Sequence, residues 1–258
     1  MDLGLRGRAA FVAASSKGMG RAIVECFAEE GADVGMCARG ADDLRRAAES
    51  VRAHGVRVVD TPADLSDGEQ TRNAVQRAAD DLGRLDALVI NAGGPPRAAF
   101  IDLDDSKWDA AYRLTLMSAV HLVQAALPAL RRSEAASILF ISSWSVRQPI
   151  PRLTLSNSIR GATAGLAKSL ANELAPAIRV NTLLPGTIGT DRQIELAQMA
   201  GTRDLNEYFR GMARNIPLDR IGEPVEIARV AVFLCSPAAS YITGQMLAVD
   251  GGVIQSVN

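Results

Sequence analysis

Short apolar segments alternate with longer amphipathic segments along almost the whole chain, and this alternation constrains the fold more than any other feature. The apolar segments are continuous, as is typical of strands buried on both faces of a sheet. They comprise Ala9–Ala13, Val34–Ala38, Val56–Val59, Leu85–Ile90, Ile138–Ser142, Ile178–Leu184 and Met246–Val249. Strict alternation of strands and helices predicts a parallel sheet with helices on both of its faces.

The segments between these strands have helical periodicity. They are Gly18–Gly31, Asp42–Ala53, a helix that ends at Leu82, Ser106–Arg132, Leu153–Ala175 and Glu223–Cys235. Ser66 and Glu69 have the spacing of a capping box at the start of the third helix. The whole pattern predicts a Rossmann-type, doubly wound α/β fold in one domain over residues 1–258, with a helical substrate-lid insertion at about 188–215. In such sheets ligands bind at the carboxyl ends of the strands.

Composition excludes several classes of function. A formal net charge of −1 argues against a general role at nucleic acids or membrane surfaces. The three cysteines are far apart and match no metal spacing, so no metal site is predicted. We find no apolar run that approaches the ~18 residues of a membrane helix and no signal peptide. We therefore expect a soluble cytoplasmic protein that acts on a small molecule.

A glycine-containing loop, Ala14–Gly20, joins the first predicted strand to the first predicted helix. At this place in a doubly wound sheet, backbone N–H groups and the helix dipole are directed at a phosphate. Elsewhere the same glycines would indicate only a turn. The position favours a dinucleotide site, with contacts predicted from Ser15, Ser16, Lys17, Gly18 and Met19.

Further motifs follow the later strands in order. Asp64–Leu65 lies after the third strand, Asn91-Ala92-Gly93 after the fourth, Pro185-Gly186-Thr187-Ile188 after the sixth, and Asp250-Gly251-Gly252 near the end. Together with the glycine loop they resemble the short-chain dehydrogenase/reductase family over nearly the whole chain. The resemblance implies that these segments, apart from the last, contact a nicotinamide dinucleotide. Ala13 and Ala14 differ from the threonine and first glycine of the family loop.

The end of the second strand bears on the choice of cofactor. Family members that use NAD have an acidic residue there, which binds the ribose 2′-hydroxyl. This chain has Ala38 followed by Arg39, and Lys17 lies in the glycine loop. Two cations with no carboxylate at this point favour the 2′-phosphate of NADP(H) over NAD(H). Alternatively, both cations are solvated surface charges.

The family's proton-handling residues are asparagine, serine, tyrosine and lysine, and the resemblance gives their positions here. The helix containing Gly165–Pro176 matches the family closely and fixes the register. It places Ser156 at the tyrosine position and Arg160 at the lysine position, with Thr115 at the asparagine position. Only Ser143 agrees with the family. Arg160 would also hold the nicotinamide ribose, but it cannot pass a proton as lysine does.

Two functions are consistent with this pattern. The first is an NADP(H)-dependent oxidoreductase, a reductase of a carbonyl or related compound, in which water held by Ser143, Ser156 and Arg160 supplies the proton. Tyr208 is a remote alternative donor. The second is a dinucleotide-binding protein without dehydrogenase activity, acting as a sensor or partner subunit. We favour the first because the cofactor half of the site is nearly intact.

Two further features of the sequence concern the substrate and the assembly of the protein. Arg97, Arg147 and Arg152 lie in loops that should converge above the nicotinamide, where they would bind an anionic substrate or serve only as surface cations. The family resemblance and the apolar residues on several faces of Leu116–Leu130 and Leu153–Leu174 imply a homodimer or homotetramer.

Overall fold

The computed structural model describes residues 2–191, 193, 194, 197, 202 and 204–257. In this part of the chain seven parallel strands form one sheet. They are β1 (Ala9–Val12), β2 (Asp33–Ala38), β3 (Val58–Pro62), β4 (Ala87–Ile90), β5 (Ala136–Ile141), β6 (Ile178–Pro185) and β7 (Met246–Val249). Their order is β3-β2-β1-β4-β5-β6-β7. The order reverses between β1 and β4, which is the switch point where such sheets bind ligands.

Helices cover both faces of the sheet. They are α1 (Gly18–Glu29), α2 (Ala41–Arg52), α3 (Gly68–Leu82), α4 (Asp105–Ala111), α5 (Ser118–Leu130), α6 (Thr154–Glu173), α7 (Leu205–Ala213) and α8 (Pro224–Cys235). The core on one face is formed with α1, α2 and α8, and the core on the other with α3, α5 and α6. The predicted single-domain α/β fold with a parallel sheet is confirmed.

Several local boundaries differ from the prediction, the third strand and the start of the third helix among them. The third strand is Val58–Pro62 rather than Val56–Val59. The predicted Ser66–Glu69 capping box was wrong, since Asp67 is the N-cap of α3 and accepts hydrogen bonds from the N–H groups of Glu69 and Gln70. Asp and Ser cap helices about equally well, so the sequence does not distinguish two adjacent candidates.

Among the described residues, one helical stretch, Asp105–Leu130, is long and apolar enough to span a membrane by length and composition. The sequence analysis found no such stretch. It consists of α4, a π-helical turn at Tyr112–Met117, and α5. Within its most apolar window 44% of the residues are buried inside the protein, where α5 packs against α3 and β4. Its apolar character is that of a helix in the protein core.

Asp86 anchors the amino edge of the sheet, opposite the predicted site. Its side chain is buried and accepts hydrogen bonds from the Ala9 N–H (2.9 Å), the Ser133 hydroxyl (2.6 Å) and the Arg84 guanidinium (2.7 and 2.8 Å). Burial alone would raise its pKa, but these hydrogen bonds outweigh burial and hold the pKa below its ordinary value.

We expect Asp86→Asn to lower the free energy of unfolding by about 2 kcal/mol, because it leaves buried donors facing an amide. In the wild type the Asp86 carboxylate stabilises the fold fully above about pH 4, and this stabilisation is lost as the pH falls through its lower folded-state pKa. Urea unfolding at neutral and acidic pH measures both effects. Asp81→Asn, at an exposed pair with Arg77, is the control, and an equal loss in both variants would contradict the assignment.

Candidate functional site

The glycine loop leaves β1 through a sharp turn at Ala14. Its φ of 49° lies in the left-handed region, which glycine adopts readily and alanine does not. The Ser15 N–H donates to the Cys37 carbonyl (3.0 Å) and the buried Ser15 hydroxyl donates to the Val12 carbonyl (2.9 Å). Ser15 therefore faces the protein, whereas Ser16 and Met19 are half-buried and Lys17 is exposed. The turn directs the chain into the amino end of α1.

Two contacts fix the path of this loop. The Asn91 side-chain amide, at the end of β4, donates to the carbonyls of Ala13 and Ala14 at 3.2 Å each. Gly20 lies beneath the loop, and a Cβ there would be 2.8 Å from the Asn91 amide nitrogen and closer still to the Ala14 carbonyl. The side chain of Asn91 thus shapes the loop across the switch point. Ala92 is half-buried and Gly93 is exposed beyond it.

The segment after β6 reaches the same edge of the sheet. Gly186 packs so closely on the start of the Asp250 turn that a Cβ would be 2.5 Å from the Asp250 Cα. Ile188 is buried, and the Thr187 carbonyl accepts from the Gly222 N–H (2.9 Å). The Thr190 methyl group lies 3.4 Å from the Cβ position of Gly18. The segments predicted after β1, β4 and β6 are therefore brought together.

Near the end of β2 the structure places a carboxylate that the sequence prediction did not include. Arg39 is exposed as expected, but the Lys17 ammonium lies 2.7 Å from the carboxylate of Asp43, in the first turn of α2. Asp43 also pairs with Arg46. The hydrogen bond from Lys17 is the main reason why the pKa of Asp43 is lowered. The expectation that no carboxylate lies at this point was wrong, because the chain folds back at Gly40.

Asp64 and Leu65 follow β3 as predicted. The Asp64 carboxylate accepts from the Ser66 N–H (2.9 Å) and the Ser66 hydroxyl (2.8 Å), which closes a tight turn before α3. The Leu65 side chain is buried in the core beside α3. Both side chains therefore have structural contacts in the absence of any ligand.

Arg160 extends from α6 to the carboxyl end of the sheet. One terminal nitrogen donates to the carbonyls of Ile141 and Ser142, at 3.2 Å each, where β5 ends. The other terminal nitrogen is 3.9 Å from the Cβ position of Gly94, after β4. Burial lowers the pKa of the guanidinium to about 10, so it remains protonated at neutral pH. No acidic side chain in the described ranges pairs with it.

Several residues that carry hydroxyl groups lie on the segments next to this guanidinium. Ser143 begins the turn after β5, and its oxygen accepts from the Ser145 N–H (3.1 Å). Ser156 is buried in the first turn of α6, and Thr115 is buried in the π-helical turn that packs on α6. The Thr115, Ser142 and Ser145 hydroxyls have no hydrogen-bond partner in the part of the chain that the structure describes. The cleft thus holds one cation and several polar groups that can hold water.

The remaining candidate site residues lie on other elements or make structural contacts. Tyr208 lies on α7, where its ring stacks edge-to-face on Phe209 with centroids 5.5 Å apart. The Arg147 guanidinium donates to the Met246 carbonyl (2.8 Å), which ties its loop to β7. Arg97 and Arg152 are exposed. Of the predicted insertion, residues 192, 195, 196, 198–201 and 203 lie outside the described residues.

Sequence reasoning missed two contributors to the site, Asp43 and Ser145. Asp43 gave a signal, since an acid in the first turn of the helix after Arg39 lies within reach of the glycine loop. Ser145 gave none, because a second hydroxyl in the turn after β5 does not by itself indicate a site residue. Among the described residues no three His, Cys, Asp or Glu side chains are placed to hold a metal ion.

Comparisons with known proteins agree with this geometry. A family model described as enoyl-(acyl carrier protein) reductase matches residues 13–254. A chloroplastic tropinone reductase homolog of Arabidopsis thaliana is 36% identical over 252 residues, covering 96% of this chain and 76% of that protein. L-sorbose reductase from Gluconobacter frateurii, solved with NADPH and L-sorbose, superposes with a TM-score of 0.96 at 33% identity and full coverage of both chains.

A second solved structure is informative about the site. It is an NADPH-bound short chain oxidoreductase from Pseudomonas aeruginosa PAO1, described as containing an atypical catalytic center. Its TM-score is 0.91 at 32% identity, with 97% of this chain and 98% of that chain covered. Both solved relatives are NADPH complexes, and their overall fold matches that of this chain.

Proposed function

Because the chain belongs to the short-chain dehydrogenase/reductase family, we propose that it is an NADPH-dependent reductase of small carbonyl compounds with an atypical proton-handling site. The tyrosine and lysine usual in the family are replaced by Ser156 and Arg160, and the asparagine by Thr115. One observation carries the proposal. The Arg160 guanidinium is held by backbone carbonyls at the end of β5, beside the serine that the family uses.

The residues at the switch point fit a dinucleotide. The N-cap of α1 is Lys17, whose side chain does not cap the helix, so the first N–H groups of α1 are left for a phosphate. Gly20 allows the loop to lie directly on α1. Pro185, Gly186, Thr187 and Ile188 border the nicotinamide side, and Asp64, Leu65, Ala92 and Gly93 the adenosine side. When bound, NADPH supplies the hydride.

NADPH is preferred over NADH in this proposal because Lys17 and Arg39 border the expected 2′-phosphate. Asp43 opposes that preference, since it neutralises part of the charge of Lys17. A phosphate would compete with Asp43 for the same ammonium group. The NADPH complexes of two solved relatives support the choice of cofactor.

We expect Lys17→Ala and Arg39→Ala each to weaken NADPH binding about 10-fold and to leave NADH binding within about 2-fold. Asp43→Asn should have the opposite effect and tighten NADPH binding about 3-fold, because it removes a negative charge beside the phosphate. Fluorescence titration with both cofactors measures these values. Asp42→Asn is the control for Asp43. A loss of NADH affinity equal to that of NADPH would contradict the assignment.

The chain's own residues then handle the substrate oxygen. Ser143 would hydrogen-bond the carbonyl oxygen, and Arg160 would stabilise the negative charge that develops there. Ser156 and Thr115 would hold a water molecule through which a proton from the solvent reaches this oxygen, since neither a serine hydroxyl nor a guanidinium is a good acid at neutral pH. Orientation of the substrate against the cofactor would supply much of the rate.

The proposed activity is tested by following NADPH absorbance with a panel of ketones, aldehydes, ketoses and keto acids. Oxidation of NADPH that depends on one class of carbonyl supports the reductase. Tight NADPH binding with no oxidation on the whole panel would contradict it and favour a dinucleotide-binding protein without turnover, a sensor or partner subunit.

A substrate-lid role for residues 188–215, assembly as a homodimer or homotetramer and a cytoplasmic location also belong to this proposal.

A further inference from the structure

Two arginines are brought side by side at the carboxyl edge of the sheet. The loops that follow β4 and β5 pair through a parallel bridge between Ala98 and Leu153, and the Ala98 N–H donates to the Arg152 carbonyl (3.0 Å). Arg97 and Arg152 immediately precede the two bridge residues. In parallel pairing their Cα atoms are about 5 Å apart, the spacing of adjacent strands. The two side chains therefore start from neighbouring points although they are far apart in sequence.

Neither of these guanidinium groups is bound by the part of the protein that the structure describes. Both side chains are exposed, and no described residue gives either one an ion pair or a hydrogen bond. Arg147 differs, because its guanidinium is bound to the Met246 carbonyl. Two acids follow Arg97 before α4. Asp104 is occupied, since it caps α4 through the Lys107 N–H and binds the Lys107 ammonium, and the exposed Asp102 makes no ion pair with either arginine. The pair thus has donors for a carboxylate or phosphate and no internal acceptor.

The backbone at Arg152 supports a role for this pair. Its φ is 61°, in the left-handed region that residues other than glycine seldom adopt. Such conformations concentrate at ligand sites, where surrounding contacts hold them in place. Here the bridge to Ala98 provides that contact.

Arg160 extends the positive charge into the cleft. Its second terminal nitrogen lies beside Gly94, three residues before Arg97 on the same loop. One nitrogen binds two carbonyls, and no acid in the described part of the chain neutralises it. The guanidinium is therefore a partly buried cation without a counterion among the described residues, an arrangement that an anionic ligand would stabilise. The loop from Ser142 to Leu153 adds two arginines and no acid.

We infer that Arg97 and Arg152 form a subsite for the anionic group of the substrate, so that the enzyme reduces a small carbonyl compound bearing a carboxylate or a phosphate ester. This rests on the proposed reductase function. Hydride passes from NADPH to the carbonyl carbon, a proton from water passes to the oxygen, and the products are the hydroxy acid or hydroxy phosphate and NADP⁺. The anionic end is bound at the rim of the cleft, and the carbonyl faces Ser143 and Arg160.

The test compares matched substrates that differ in charge. The pairs are pyruvate with methyl pyruvate and dihydroxyacetone phosphate with dihydroxyacetone, assayed by NADPH oxidation. We expect the wild type to prefer one anionic member by at least about 100-fold in kcat/KM, and that pair identifies carboxylate or phosphate. The double variant R97A/R152A should lose at least about 10-fold on the anionic member and change less than about 2-fold on the neutral one.

Arg147→Ala is the matched control, since it removes the same charge from the same loop. A similar loss in this variant would overturn a specific subsite in favour of a general positive field. Equal turnover of charged and neutral members by the wild type would overturn the inference and leave the reductase proposal intact. If no member is reduced, the NADPH-saturated protein is titrated calorimetrically with pyruvate and dihydroxyacetone phosphate. Binding weakened at least about 10-fold in R97A/R152A supports the subsite, and absence of binding overturns it.

Discussion

Arg160→Met is expected to lower kcat/KM for carbonyl reduction by about 1000-fold while the protein remains folded. Methionine has a similar length and fills the same space without charge. The variant would lose activity because no other cation in the described part of the cleft is placed to stabilise the negative charge that develops on the substrate oxygen. The variant also frees the carbonyls of Ile141 and Ser142 from their donor. Steady-state assays and thermal unfolding of both proteins measure the two effects separately.

Two further variants make this expectation specific. Arg160→Lys keeps the charge and should retain more than about 10% of the wild-type kcat/KM, since an ammonium can hold either carbonyl. Arg77→Met, at an exposed pair on α3, should be indistinguishable from the wild type. If Arg160→Met were as active as Arg160→Lys, the guanidinium would serve only to hold the end of β5. The proposed role in catalysis would then be wrong.

Gly20→Val should weaken binding of NADPH and NADH alike by about 1000-fold. A Cβ at this position would lie 2.8 Å from the Asn91 amide and still closer to the Ala14 carbonyl, which is a backbone group and can move away only if the loop shifts. The loop must then leave α1, and the N–H groups that cradle a phosphate separate from the helix end. Fluorescence titration with both cofactors measures the loss, and near-ultraviolet circular dichroism reports whether the core remains packed.

Gly165→Ala provides the control for Gly20→Val. Gly165 lies within α6, a Cβ there meets no atom within 4 Å, and alanine should stabilise the helix by about 0.5–1 kcal/mol. Its cofactor affinity should match the wild type. If Gly20→Val bound NADPH normally, the loop between β1 and α1 would not be the phosphate site. The assignment of the dinucleotide to the switch point would then fail.

The fold was predictable because it depends on patterns that are local in sequence. Continuous apolar runs are typical of buried parallel strands, and each strand end carries a short motif, so the order of the motifs also indicates the edge at which they meet. Boundaries were less predictable. The choice between Ser66 and Asp67 as N-cap depends on one residue of register in the turn before α3, where both side chains are good caps.

The site was predictable only in part, because charge pairs depend on tertiary contacts. Lys17 and Arg39 were recognised as cations, but the carboxylate of Asp43 beside Lys17 depends on the turn at Gly40. Three arginines near the pocket were equivalent in sequence. The structure separates them, since Arg147 is bound to β7 whereas Arg97 and Arg152 meet across the bridge between their loops. Hydrogen bonds, not residue type, distinguish the structural arginine from the free ones.

The central claim is that this chain transfers a hydride from NADPH to a carbonyl group with Ser156 and Arg160 in place of tyrosine and lysine. Incubation with NADPH that carries deuterium at both C4 positions of the nicotinamide, followed by mass spectrometry of the alcohol, tests it most directly. We expect one deuterium in each alcohol molecule formed by the wild type, and almost no alcohol from Arg160→Met in the same time. Bound cofactor that is never oxidised, with no deuterium in any alcohol across the carbonyl panel, would contradict it.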